Sequence, residues 1–284
     1  MPTSTSNDTC VGGLNIFLQS KDGVLHDNNS NCDFFLGKLI DAPRHDLSMV
    51  ISVIDSEIPY SWYNISNHLG NNKITINSIE ITLDEKNYNA FSLAKAFTTK
   101  FLSHFTGGYS ITMTFDQDTN KFTLASATSF TINKTTMSKE LGAYDLPQTG
   151  TTYISNKIVN MAGTSSIYIK SDNMSIQNIN SFGKENGVIA KVIVDTSPGS
   201  YIFHQPSSPQ YFILSNPMSY ININLVDDDN EYLDLNGLNW SLTLSIEYFR
   251  KRDDPINYKY YLDGGVGSGK PLEQSVPKPK DAVN

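Results

Sequence analysis

Residues 221–249 read ININLVDDDNEYLDLNGLNWSLTLSIEYF. In ININLV, Ile221, Ile223 and Leu225 share one face, and Asn222 and Asn224 share the other. WSLTLSIEYF alternates in the same way. Trp240, Leu242, Leu244, Ile246 and Tyr248 point one way; Ser241, Thr243, Ser245 and Glu247 point the other. Period two is the mark of a strand with one buried face. Between the two strands lie Asp227, Asp228, Asp229 and Glu231. Asp and Asn are favoured turn residues, so the stretch reads as two late strands joined by a solvated acidic turn.

The same pattern runs backward through the chain. SSIYIKS, VIAKVIVDT, SYIFHQ and QYFILS are short strands separated by Gly, Pro, Asn and Asp, with no helix between them. Such spacing predicts an all-β sandwich from about residue 148 to 252. MVISVIDSEIPYSWYNIS, residues 49–66, is a further strand region rich in β-branched and aromatic residues. Pro59 removes a backbone donor there and fits a bend or an edge. Residues 1–47 are rich in Asn, Ser, Asp and Gly and read as an extended arm with short strands.

The block 71–147 has a different character. ITINSIEITL reads as strand. In NYNAFSLAKAFTTKFLSHF, Phe91, Leu93, Ala94, Phe97, Phe101, Leu102 and Phe105 recur at helical intervals, with Asn89 as cap and Gly107-Gly108 as terminator. A hairpin around Asp118-Thr-Asn120, a short strand SFTIN and a helical turn at TTMSKELGAY complete a small α+β insertion. Residues 253–284 hold few large apolar side chains and read as a flexible tail.

The chain has 284 residues, 39% of them hydrophobic and 18% charged, which suits a globular protein with one large β domain or two smaller ones. A formal charge of −8 opposes non-specific nucleic-acid binding. No stretch is long and apolar enough to span a bilayer, and no secretory signal is visible at the N-terminus. Cys10 and Cys32 have no metal-ligand spacing and are expected as free thiols.

Catalytic patterns are missing. GGVGSGKP, residues 264–271, matches a phosphate-cradling loop until Pro271 replaces the magnesium-binding hydroxyl, and no helix-forming sequence follows. No GxSxG elbow and no paired-histidine metal motif occurs. Glu57 is assigned a structural role. Asp227 and Asp229 are the metal candidates, as oxygen ligands for calcium, but the order of acids and glycine that such loops require is lacking. These readings imply no cofactor and no enzymatic activity.

The order of motifs resembles the penton, or minor capsid, proteins of virophages, Polinton-type elements and related large DNA viruses. LDLNG at 233–237, with Leu235 and Gly237, is followed by Trp240 and the strand carrying Leu242, Leu244 and Ile246. IPYSWY at 58–63, with Pro59, Tyr60, Trp62 and Tyr63, and the later GTSSIYIKSDN are similar to earlier parts of those proteins. The resemblance implies a single jelly roll and a homopentamer at the five-fold vertices of a virion assembled inside the host cell. Its neighbours would be trimers of a double-jelly-roll major capsid protein. The residues named in these motifs are expected to pack the fold, and the insertion to project outward toward a host receptor. A receptor- or carbohydrate-binding sandwich, as in a spike or fibre head, is the other function that such a fold supports.

Overall fold

The structure is a computed structural model that describes residues 10–105, 110–174, 187–214 and 216–250. The apolar alternation already organises the first residues. In β1 (Cys10–Gln19), Leu14, Ile16 and Leu18 turn inward and Asn15, Phe17 and Gln19 outward. The strands that follow are β2 (Val24–His26), β3 (Asn31–Ile40), β4 (Leu47–Pro59), β5 (Lys73–Ile76) and β6 (Ile79–Thr82). Helix α1 (Ala90–His104) precedes β7 (Thr112–Asp116) and β8 (Lys121–Thr135), and helix α2 (Ser138–Leu141) precedes β9 (Gln148–Ile154). The chain continues with β10 (Ser166–Lys170), β11 (Val188–Ile193), β12 (Tyr201–His204), β13 (Phe212–Leu214), β14 (Met218–Val226) and β15 (Ser241–Arg250).

Two sheets form a sandwich. Sheet A runs β1-β15-β4-β12, with β13 on the other half of the β4 flank. Sheet B runs β11-β10-β14-β3-β2. If β2 counts with β3 and β13 with β12, chain order numbers eight strands in the orders 1-8-3-6 and 5-4-7-2. All these pairs are antiparallel. That weave, in which the first and last strands pair and successive strands alternate between sheets except for the hairpin of strands 4 and 5, is a jelly roll. The fold is mainly β, with an α+β insertion between β4 and β10. The sandwich core contains Leu18, Phe34, Ile51, Ile58, Ile167, Ile221, Leu235, Trp240, Leu244 and Ile246. Removing these side chains from water is the main drive for the two sheets to close.

The insertion has its own sheet, β6-β5-β8-β7 with β9 also on β8, and its own core. Helix α1 lies on this sheet through Leu93, Ala94, Phe97 and Phe101. Asn89 caps it: its side chain accepts from Ser92 N–H at 2.9 Å while Ser92 Oγ accepts from Asn89 N–H at 3.0 Å.

Several expectations need correction. Residues 10–40 are no loose arm, because β1 and β3 are ten-residue strands inside the two sheets. The insertion does not stop at 147. Strand β9 pairs with β8, and Tyr153 lies in the insertion core with Val159 and Met161 against it, while Trp62 belongs to the sandwich core and Ile65 to the insertion core, so the natural limits are near 64 and 165. ITINSIEITL is a hairpin rather than one strand: Asn77 and Ser78 take φ of 49° and 65° and turn β5 into β6. SFTIN is the second half of β8, not a separate strand. Phe91 and Leu102 are more than half exposed, because α1 buries one narrow stripe. Gly107-Gly108, the 253–284 tail and GGVGSGKP lie outside the described residues.

The alternation of ININLV puts Asn222 and Asn224 on the face away from the core, yet they are 8% and 2% exposed. Hydrogen bonds within a cross-strand ladder make this burial tolerable, as set out below. Pro59 ends β4 two residues beyond Glu57, the last β4 residue that β15 reaches. Its only strand partner is Tyr201 of β12, so the missing donor costs no ladder bond on the β15 side.

Candidate functional site

The acidic loop is the first place to look for chemistry, and its carboxylates diverge. Asp227 turns back into its own loop, where Oδ1 accepts the N–H groups of Asp229 and Glu231, both at 2.9 Å. Its residue is only 9% exposed, so it is not the solvated acid the sequence suggested. Burial pushes its carboxyl above the ordinary range, and the charges of Asp229 and Glu231 add to the push. The two backbone donors oppose it. Asn230 takes φ of 68°, which closes the turn.

Asp228 points elsewhere. Its Oδ2 accepts from Ser165 Oγ at 2.8 Å and from the N–H groups of Ser165 and Ser166 at 3.2 and 3.3 Å. It therefore pins the loop to the first residue of β10. Asp229 reaches across to the insertion and meets Lys139 of α2 at 3.0 Å. Both partners are mostly exposed, so this ion pair contributes little. Asp227 and Asp229 thus serve a turn and a surface pair, and no shared oxygen shell forms between them. Among the described residues no three His, Cys, Asp or Glu side chains are grouped to hold a metal.

The residues named from the motifs pack as follows. Trp240 is 3% exposed. Its indole N–H donates to the Asn29 carbonyl at 2.8 Å, and its ring meets Phe34 edge-on at 5.9 Å. Leu235, Leu242, Leu244 and Ile246 are at most 1% exposed. Tyr60 stacks on Trp62 at 4.4 Å in the same core. Tyr63 departs from the expectation, being exposed at the surface. Asn236 and Gly237 take φ of 49° and 78°, and Leu238 N–H closes the turn on the Leu235 carbonyl at 2.9 Å. This is why the LDLNG motif needs its Asn-Gly pair.

The reactive side chains elsewhere are quiet. Cys10 is exposed and Cys32 buried, and both are free. Burial pushes the Cys32 thiol up to about 12, with help from Asp33, so it stays protonated. Burial also lowers the His204 pKa.

What remains is a set of aromatic side chains on outer faces. Phe17 on β1 is 75% exposed and Phe203 on β12 is 70% exposed, with the Tyr201 ring 6.4 Å from Phe203. β1 and β12 are the opposite edges of sheet A. On sheet B, Phe35 is 71% exposed and lies 5.3 Å from Tyr220. The strand alternation carries the signal for these positions. In LNIFLQ, the inward Leu14, Ile16 and Leu18 force Phe17 outward; in SYIFHQ, the inward Ile202 leaves Tyr201 and Phe203 on the solvent side. An aromatic residue on the polar face of an alternating strand is the mark to look for.

No protein-family model and no curated protein sequence matches the chain. Among solved structures, the chain is similar to the crystal structure of selenomethionine-labelled mavirus penton protein. The TM-score is 0.45 with 12% sequence identity, over 83% of this chain and 98% of that one.

Proposed function

We propose that this chain is a structural capsid protein, one subunit of a five-membered ring that closes the vertices of an icosahedral particle. The observation that carries the reading is the placement of Phe17 and of Tyr201 with Phe203 at opposite edges of sheet A. Large aromatic side chains left in water mark contact surfaces. A contact between the β1 edge of one copy and the β12 edge of the next is head-to-tail, and such contacts form a ring where the rotation between copies closes and an open filament where it does not. A jelly roll alone does not select this role, since lectins and cupins share it. The number five and the vertex position rest on the motifs at 58–63 and 233–248. In this reading the ring's outer rim meets trimers of a double-jelly-roll major capsid protein inside the host cell. The insertion, with its separate core, projects outward as a contact for a host receptor. The role is non-enzymatic.

A receptor-binding spike head is the competing reading, and mass separates the two. Mass photometry of the full chain is expected to give a species at five times the 31.6 kDa chain mass. Phe17→Glu and Phe203→Glu are each expected to abolish it, because a carboxylate would be buried in the contact. A trimer would favour the spike. A pentamer that survives both substitutions would remove these edges from the account.

A further inference from the structure

The outer face of sheet B carries chemistry that ring assembly does not use. Strand register places Tyr220 opposite Phe35, Asn222 opposite Asp33 and Asn224 opposite Asn31. On the far side of β3, Val24 stands opposite Asp33 and His26 opposite Asn31. Directly paired residues share a face, so these side chains form one surface. The surface is locked from within. Tyr220 hydroxyl and Asn222 Nδ2 both donate to Asp33 Oδ1, at 2.6 and 2.7 Å. Asn222 Nδ2 also donates to Asn31 Oδ1 at 3.0 Å, and Asn224 Nδ2 donates to Asn222 Oδ1 and Asp172 Oδ2 at 2.9 and 2.8 Å.

Two atoms in this lattice are under-used. Asp33 Oδ1 is filled, but among the described residues Oδ2 has only His26 Nε2, at 3.2 Å. Among the described residues Asn224 Oδ1 has no donor, although the residue is 2% exposed. Burial raises the Asp33 carboxyl, but the hydrogen bonds from Tyr220, Asn222 and His26 outweigh it and hold the group below its ordinary value. Beside this fixed acceptor stands the exposed ring of Phe35, braced by Tyr220.

We propose that this face binds a pyranose ring of a neutral glycan, with the sugar's C–H face on Phe35 and a hydroxyl donating to Asp33 Oδ2. A flat apolar platform next to a rigid carboxylate and an imidazole fits a molecule with one C–H face and a rim of hydroxyls. Anionic ligands are opposed by Asp33 and by the chain's net charge of −8. The site does not depend on the ring.

Saturation-transfer NMR on the full chain tests it. The probes are the methyl glycosides of glucose, galactose and mannose, and N-acetylglucosamine. At least one is expected to receive saturation, strongest on its ring C–H protons. Asp33→Asn is expected to weaken binding about tenfold or more through loss of a charge-assisted hydrogen bond. Phe35→Ala is expected to abolish the transfer, and Phe91→Ala, on the distant insertion, to leave it unchanged. Tyr220→Phe keeps the platform's volume and is expected to retain the ring contact, which guards against misfolding as the cause of a loss. Absence of transfer from all four probes, or transfer that survives both site substitutions, overturns the proposal. So does an assembly mass altered by Phe35→Ala, which would assign the face to contact between copies.

Discussion

The indole N–H of Trp240 donates to the Asn29 carbonyl at 2.8 Å across 211 residues of sequence. The same residue's backbone N–H donates to Ser20 Oγ at 3.0 Å. These bonds tie the start of the last strand to the turns around β2, where the jelly roll closes on itself. Trp240→Ala is expected to destabilise the chain by about 3–5 kcal/mol through cavity formation. Trp240→Phe keeps most of the volume but leaves the part-buried Asn29 carbonyl without its indole donor, which costs about 1 kcal/mol. Urea denaturation followed by circular dichroism measures both. A loss near zero for Trp240→Ala would mean the strand faces the other way.

Asp227 makes a prediction about pH. Its carboxyl is raised in the fold, chiefly by burial, so the folded chain holds that proton more tightly than the unfolded chain. Its contribution is therefore largest below the ordinary value of 3.8 and is lost as pH rises through the folded value. Asp227→Asn keeps an oxygen for the Asp229 and Glu231 N–H groups and removes the charge. The variant is expected to equal or exceed the parent in stability at pH 7, with the difference shrinking as pH falls toward 3.8. Thermal melts across that range check it. A variant weaker by more than about 1 kcal/mol at pH 7 would show that the ionised carboxylate stabilises the turn.

The helix of the insertion gives a contrast within one element. Phe97 is fully buried and Phe91 is 52% exposed. Phe97→Ala is expected to cost about 3–5 kcal/mol, and Phe91→Ala to stay within about 0.5 kcal/mol. Hydrogen exchange should localise the Phe97→Ala loss to the insertion, whose core is separate from that of the sandwich. Equal losses at the two positions would contradict the stripe described for α1.

Where period and capping agree, the sequence is legible. The alternation of ININLV and WSLTLSIEYF led to two sandwich strands, and Asn89 marked the first turn of α1. The hairpin in ITINSIEITL could have been read from its phase. Ile74 and Ile76 sit on even positions, Ile79 and Ile81 on odd ones, and the switch falls at Asn77-Ser78. Short strands are legible within 10–40, but their ten-residue length and their place in the two sheets are not, because a polar composition masks inward runs such as Leu14, Ile16 and Leu18. Burial of Asn222 and Asn224 was not legible at all. It depends on Asp33 and Asp172, which only the register brings alongside. The same holds for the acidic loop, where each carboxylate takes its role from a partner distant in sequence or from the turn's own backbone.

The central claim, a head-to-tail ring through the two edges of sheet A, is tested most directly by cross-linking. The exposed Cys10 is first replaced by Ser, and cysteines are then placed beside the two aromatic patches, at the exposed Asn15 and Gln205, singly and together. Under mild oxidation the account predicts that the double variant forms a ladder on non-reducing gels that ends at five copies. Each single variant should form at most a trace of dimer. A double variant that stays monomeric, or single variants that dimerise as readily as the double one cross-links, would contradict the ring.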